Sequence, residues 1–167
     1  ELAHYLVSQS NQTVMWMQRN GVRFAPIWGR QAFKVDGKFK FWGGLTVEAW
    51  GGGEGLVDAL HGALANNGIE LRYDTTVQDL LFDGHTVTGV RVRHQDQIVE
   101  IPAKAVILTA GGFQANAEWR TRYLGPGWDL AKVRGTRFNT GDGIRMALDV
   151  GAMPYGNWSG AHAVAWE

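Results

Sequence analysis

The chain has 167 residues, room for one sizeable core, and its 16 Lys and Arg against 16 Asp and Glu leave a formal net charge of zero. That balance removes the electrostatic footprint of a nucleic-acid binder or a polybasic membrane-surface protein. With no Cys, a disulfide scaffold, a thiol nucleophile and an iron–sulfur site are excluded, and five His at no ligand spacing argue against a metal site. From Glu1 to Asn20 the pattern is helical, with Val14 and Met17 on one side and Gly21 where a C-cap glycine belongs. Residues 22 to 50 are irregular and aromatic-rich, carrying Phe24, Trp28, Phe33, Phe39, Phe41, Trp42 and Trp50 among strand fragments with no firm boundaries. Glycines then crowd together at Gly43-Gly44, Gly51-Gly52-Gly53 and Gly55. A helix follows, with Leu56, Leu60 and Leu64 spaced by four and Gly68 at its end.

Beyond Gly68 the period falls from about 3.6 to 2. Ile69 to Tyr73 reads as a short strand. Leu80-Leu81-Phe82, the Asp83-Gly84 turn and Val87 to Arg93 read as a hairpin, in which Val90 and Val92 alternate with Arg91 and Arg93. Gln97 to Ile101 reads as a third antiparallel strand. Ala105 to Ala110 is a continuous apolar run, the mark of a fully buried, parallel-type strand, and it stops at Gly111-Gly112. A helix is expected from about Asn116, with Glu118 in its first turn, to Leu124-Gly125-Pro126. Thr140-Gly141-Asp142-Gly143 opens another, closed by Gly151. The class is α/β. Arg91, Arg93, Arg120 and Arg122 fall at spacings expected of solvated faces, and the Trp residues read as packing. No basic leader with an apolar core and no run of ~18 apolar residues is present, so the expectation is a cytoplasmic protein with no membrane span.

The 23 Gly, nearly twice the usual ~7%, gather at element ends. Ligands of open α/β sheets bind beyond the carboxyl ends of the strands, where a missing Cβ lets backbone approach a large planar or phosphorylated molecule. Turn and cap duties explain any single cluster equally well. None of the clusters is a P-loop, and Gly51-Gly52-Gly53-Glu54-Gly55 follows no obvious buried strand. By physics alone this is an α/β chain with a Gly-lined face, so a non-catalytic binding module stays open. A structural or oligomerisation segment built on the Trp-rich 24–50 stretch stays open too.

Lys104-Ala105-Val106-Ile107-Leu108-Thr109-Ala110-Gly111-Gly112-Phe113 resembles the A-V-I-L-A-T-G-G-F strand of the fumarate reductase/succinate dehydrogenase flavoprotein family, with Thr109-Ala110 in swapped order. Gly51 to Leu60 followed by Ile69 to Val77 resembles that family's Gly-rich helix start and adenine-side strand. Asn139-Thr140-Gly141-Asp142-Gly143-Ile144-Arg145-Met146-Ala147, completed by Val150-Gly151-Ala152, resembles its N-x-G-D-G-x-x-M-A…A-G-A segment. Within the family, residues 133–143 and 158–166 look most like the tricarballylate dehydrogenase branch. A ketosteroid dehydrogenase is the alternative specificity.

The resemblance implies part of a Rossmann-like FAD-binding domain with an inserted antiparallel β-meander, the cofactor FAD, and hydride transfer between flavin N5 and a small di- or tricarboxylate. It implies that the Val77 backbone meets the adenine edge, although an ordinary strand-end core valine reads equally well there, and that Ala110, Gly111 and Gly112 pass beside the adenosine diphosphate. Thr140, Gly141, Asp142 and Gly143 would bring a helix N-terminus to the cofactor, with Asp142 either stabilising that helix or, where it faces the cofactor, accepting hydrogen bonds from hydroxyls or organising the loop. His162 resembles the histidine of the family's Q-x-H-P-T segment, which helps hold a substrate carboxylate, although Ala163-Val164 stand where Pro-Thr would. On this basis residues 1–50 are a helical and aromatic-rich lead-in and 51–167 the central part of the domain. The chain opens on Glu1 rather than Met and closes on Trp166-Glu167, so it reads as a piece of something longer, and the family's G-x-G-x-x-G, capping domain and C-terminal segment are expected outside it. The catalytic acid or base is then expected outside this chain, and the piece alone is expected to be inactive. An electron-transfer partner protein is left open.

Overall fold

A computed structural model of the chain describes residues 1–29, 32–41 and 44–161, in two compact units, Glu1–Arg72 and Tyr73–Glu167. The α/β class is realised as helices with small antiparallel sheets.

In the first unit, α1 spans Leu2–Arg19 and ends before Gly21, where the Val22 amide reaches back to the Met17 carbonyl. α1 buries none of its own side chains, whereas Val22 just beyond it is buried. The aromatic-rich stretch resolves into two antiparallel pairs. β1 (Phe24–Pro26) pairs with β4 (Val47–Ala49), and β2 (Ala32–Val35) forms a hairpin with β3 (Lys38–Phe41). Trp28 lies 4.8 Å from Phe39 and 5.2 Å from Phe41 between ring centroids, and the Arg23 guanidinium sits 4.7 Å over the Trp50 ring. α2 (Gly52–Asn66) follows the glycine cluster and packs on β4.

The second unit is built on a three-stranded sheet in the order β5 (Thr75–Phe82), β6 (Val87–His94), β7 (Gln97–Pro102). Along β6 Val92 is buried and Arg93 exposed, as alternation requires, while Val90 and Arg91 are both half-buried. α3 (Ala117–Leu124), a 3-10 turn (Trp128–Leu130) and α4 (Asp142–Asp149) complete it, with α4 lying against β5 and its Met146 buried.

The expected strands at Ile69–Tyr73 and Ala105–Ala110 do not form. Neither segment joins a ladder, Ile69 is 55% exposed, and Ile107 is 86% exposed in a run expected to be fully buried. The physical reason lies in pairing. A central parallel strand needs neighbours along both edges and helices over both faces, and among the described residues the ladders are antiparallel only. Arg120 departs from expectation in the opposite sense. Its spacing places it on a solvated face, yet it is 7% exposed.

The hairpin turn between β5 and β6 has its own chemistry. Asp83 Oδ1 accepts 2.8 Å hydrogen bonds from the His85 and Thr86 amides. These bonds, Thr86's first, hold the carboxyl below the usual aspartate range. A lowered folded-state pKa adds stability above the unfolded value of about 3.9, and that stability is lost as pH falls through the folded value. Asp83→Ala should therefore melt earlier than wild type near pH 7, with the gap closing in melts near pH 3. A gap of constant size across that range would show that the carboxylate contributes nothing to the turn.

Candidate functional site

Two backbone segments remote in sequence meet in the second unit. The Gly141 amide donates to the Gly112 carbonyl at 3.1 Å, and the Ala115 amide to the Asn139 carbonyl at 2.9 Å. Asn116 works twice. Its Oδ1 caps α3 by accepting from the Trp119 amide at 3.1 Å, and its Nδ2 donates to the Thr140 carbonyl at 3.0 Å. Close packing completes the junction. An added Cβ on Gly111 would stand 2.8 Å from Asn139 Oδ1, and one on Gly143 would stand 3.2 Å from the Ala110 methyl carbon. Ala110, Gly111, Gly112, Thr140, Gly141, Asp142 and Gly143 thus form one structural feature, as the sequence order alone could not demand.

Beneath it lies an aromatic cluster. Phe113 contacts Trp119 (5.6 Å between centroids), Tyr123 (5.4 Å) and Trp158 (6.2 Å, stacked). Tyr123 closes the group against Trp158 at 4.8 Å. This gives Trp119 and Trp158 the packing role expected of them, while Trp16, Trp28 and Trp50 are each half-exposed or more. Arg120, on the same helix, donates to the carbonyls of Gln114 (2.6 Å), Trp128 (2.8 Å), Asp129 (2.9 Å) and Ala131 (3.4 Å), tying the loop after α3 to the Gly112 side of the junction.

α4 starts from Gly141 in the left-handed conformation, and no side chain caps its N-terminus. Asp142 is exposed, and its Oδ2 accepts a 2.6 Å hydrogen bond from Thr140 Oγ1, so the carboxylate is engaged with its own loop. Asp142 also stands in the first turn of α4, where an acid suits the helix dipole. The uncapped first-turn amides, carrying the positive end of the helix dipole, suit an oxygen-rich anionic group.

Val77 lies apart from the junction, on β5 opposite Val92, and is 37% exposed. One helix links the two places: Arg145 of α4 donates through Nη2 to the Gln78 carbonyl and approaches Asp79 Oδ1 at 3.6 Å. Arg91 bridges Asp79 (3.5 Å) and Glu100 (3.0 Å) in turn. His162, the expected substrate residue, lies outside the described residues. Among the described residues there is no cluster of His, Cys, Asp or Glu able to hold a metal, and no helix is long and apolar enough to cross a membrane.

Sequence reasoning missed Asn116 as a clamp, Arg120 as a buried anchor and Arg145 as a tether. Asn116 had a legible signal, an Asn three residues before Trp119 at a helix start. The two arginines had none, because their partners are main-chain carbonyls, which no side-chain pattern marks.

The uncapped N-terminus of α4 suits the diphosphate of a dinucleotide, while the glycines beside it are packed against Asn139, Gln114, Trp119 and Ala110. The chain is 26% identical over 153 residues to the NADH:fumarate oxidoreductase of Klebsiella pneumoniae (strain 342), covering 91% of this chain and 16% of that protein. It is 34% identical over 108 residues to the 3-oxosteroid 1-dehydrogenase of Mycobacterium tuberculosis, covering 61% of this chain and 19% of that protein. The fold superposes on the open conformation of a flavocytochrome c3 fumarate reductase with a TM-score of 0.70 and 28% identity, over 87% of this chain and 25% of that one. This chain therefore spans less than a fifth of the curated relatives' length. The FAD_binding_2 family, described as FAD binding domain, matches residues 1–163, and the chain belongs to that family, whose cofactor is FAD.

Proposed function

We propose that this chain supplies the adenine side of an FAD cradle in an oxidoreductase acting on a small di- or tricarboxylate. The observation that carries the reading is the junction of Ala110–Gly112 with Thr140–Gly143, where closely packed main chain adjoins an uncapped helix N-terminus. When bound, FAD supplies hydride transfer at N5, and the protein's share is orientation and charge. In this reading the Val77 backbone pairs with the adenine edge. Gly111 and Gly112 let the chain pack closely against Asn139 and Gln114 where it passes beside the dinucleotide, and the first-turn amides of α4 donate to its oxygens. Asp142, bonded to Thr140, holds the loop rather than the anion. His162 would hold a substrate carboxylate by hydrogen bond or charge, since a buried carboxylate needs such a partner.

A second reading keeps the cofactor and changes the substrate. The 34% identity to a 3-oxosteroid 1-dehydrogenase supports a steroid-type substrate.

Gly111→Val in the full-length protein tests the cradle. The valine would meet Asn139 from a backbone φ of +76°, so the purified variant should lose most of its flavin absorbance. Full flavin retention would remove Gly111 from the cofactor's surroundings. Turnover with fumarate, tricarballylate and a 3-ketosteroid then separates the two substrate readings.

A further inference from the structure

We propose that Arg145 is a positioning residue for FAD, setting the Val77 backbone against the α4 N-terminus; this rests on the FAD-cradle reading above. The argument starts from a β-bulge. Val77 pairs with Val92 and Asp79 with Arg91, so Gln78 has no residue opposite it on β6. A bulge interrupts the ladder and re-aims the adjoining backbone, and it leaves a main-chain group needing another partner. Arg145 provides that partner by donating through Nη2 to the Gln78 carbonyl. The same guanidinium is held from its other side by Asp149, with Nη1 at 2.6 Å from Oδ2, and lies 3.6 Å from Asp79 Oδ1.

Arg145 sits one helical turn after Gly141, and its amide donates to the Gly141 carbonyl at 2.8 Å. One residue therefore touches both parts of the cradle: its main chain belongs to the first turn of α4, and its side chain grips the residue after Val77. The planar fork explains why arginine suits the position. It reaches a carbonyl and a carboxylate at once, whereas a lysine ammonium acts as a point charge. An exposed ion pair with Asp149 would account for the 2.6 Å contact but contributes little by itself. The grip on the carbonyl of the bulged residue, 67 residues away in sequence, is what assigns the positioning role.

The test uses the full-length protein stripped of flavin and titrated with FAD and, separately, with ADP. Arg145→Met should weaken FAD by about tenfold or more, the scale of a lost charge-assisted hydrogen bond, and should weaken ADP in parallel because the effect lies on the adenine side. Asp149→Asn, which leaves the Gln78 contact in place, should bind both within about twofold of wild type. If Arg145→Met fails to fold, Arg145→Gln gives the same comparison with a neutral side chain. FAD and ADP affinities within twofold of wild type in the folded variant, whatever its melting temperature, would overturn the proposal and leave Arg145 a structural ion pair. Failure of wild type itself to bind FAD would instead sink the cradle reading.

Discussion

Gly141→Ala is expected to destabilise the full-length protein by about 2–4 kcal/mol, combining a left-handed backbone with an overpacked contact. Gly141 has φ +90° and is buried, and an added Cβ would stand 2.7 Å from Trp119 Cζ3, 2.8 Å from Cε3 and 3.0 Å from Phe113 Cβ. The indole cannot swing aside cheaply. It is packed edge-on between Phe113 and Tyr123, each 5.6 Å away between centroids. What yields instead is the start of α4, so flavin affinity should fall along with the urea midpoint. Trp119→Leu supplies the control, because a smaller side chain gives the new methyl group room. In a double-mutant cycle the two changes should couple favourably by about 1 kcal/mol, as neighbours sharing one contact do. Purely additive losses would mean that backbone conformation alone makes glycine necessary.

Arg120→Met should cost about 2–4 kcal/mol in urea unfolding, with the slope of the transition unchanged. The methionine retains most of the aliphatic volume but none of the donors. The carbonyls of Gln114, Trp128, Asp129 and Ala131 then lose a shared partner at a site where the arginine is 7% exposed. Hydrogen bonds to a charged donor are worth about 1.5–3 kcal/mol, more than neutral ones, and here the donor is withdrawn from water. Arg120→Lys should recover less than half of the loss, since one ammonium cannot face carbonyls spread around a guanidinium plane. A loss below about 0.5 kcal/mol, the ordinary range of surface changes, would show that water replaces the guanidinium.

The two sites differ in how far sequence could reveal them. Glycine crowding at 111–112 and 141–143 is visible in the chain, and so is the helix that begins at the second cluster. Their meeting is not, because it depends on hydrogen bonds such as Gly141 to Gly112 and Asn116 to Thr140. Arg120 marks the opposite case. An arginine in a short helix beside Glu118 and Arg122 has every local attribute of a solvated face. It is buried because the loop after Gly125 folds over it and presents main-chain carbonyls, which all residues carry alike.

Local chemistry determined much of the rest. Helix ends at Gly21, Gly68, Asn116 and Gly151 follow from capping residues. The 75–102 meander follows from period-2 alternation and the Asp83 turn. These signals act over a few residues, so sequence suffices to read them. The apolar runs at Ile69–Tyr73 and Ala105–Ala110 look equally plain, yet strand formation needs edges supplied by other strands, and the described residues provide none for them. Only the tertiary structure decided that, as it decided the burial of Arg120 and the grip of Arg145 on Gln78. Pairing and burial belong to two parts of a chain at once, whereas periodicity and capping belong to one.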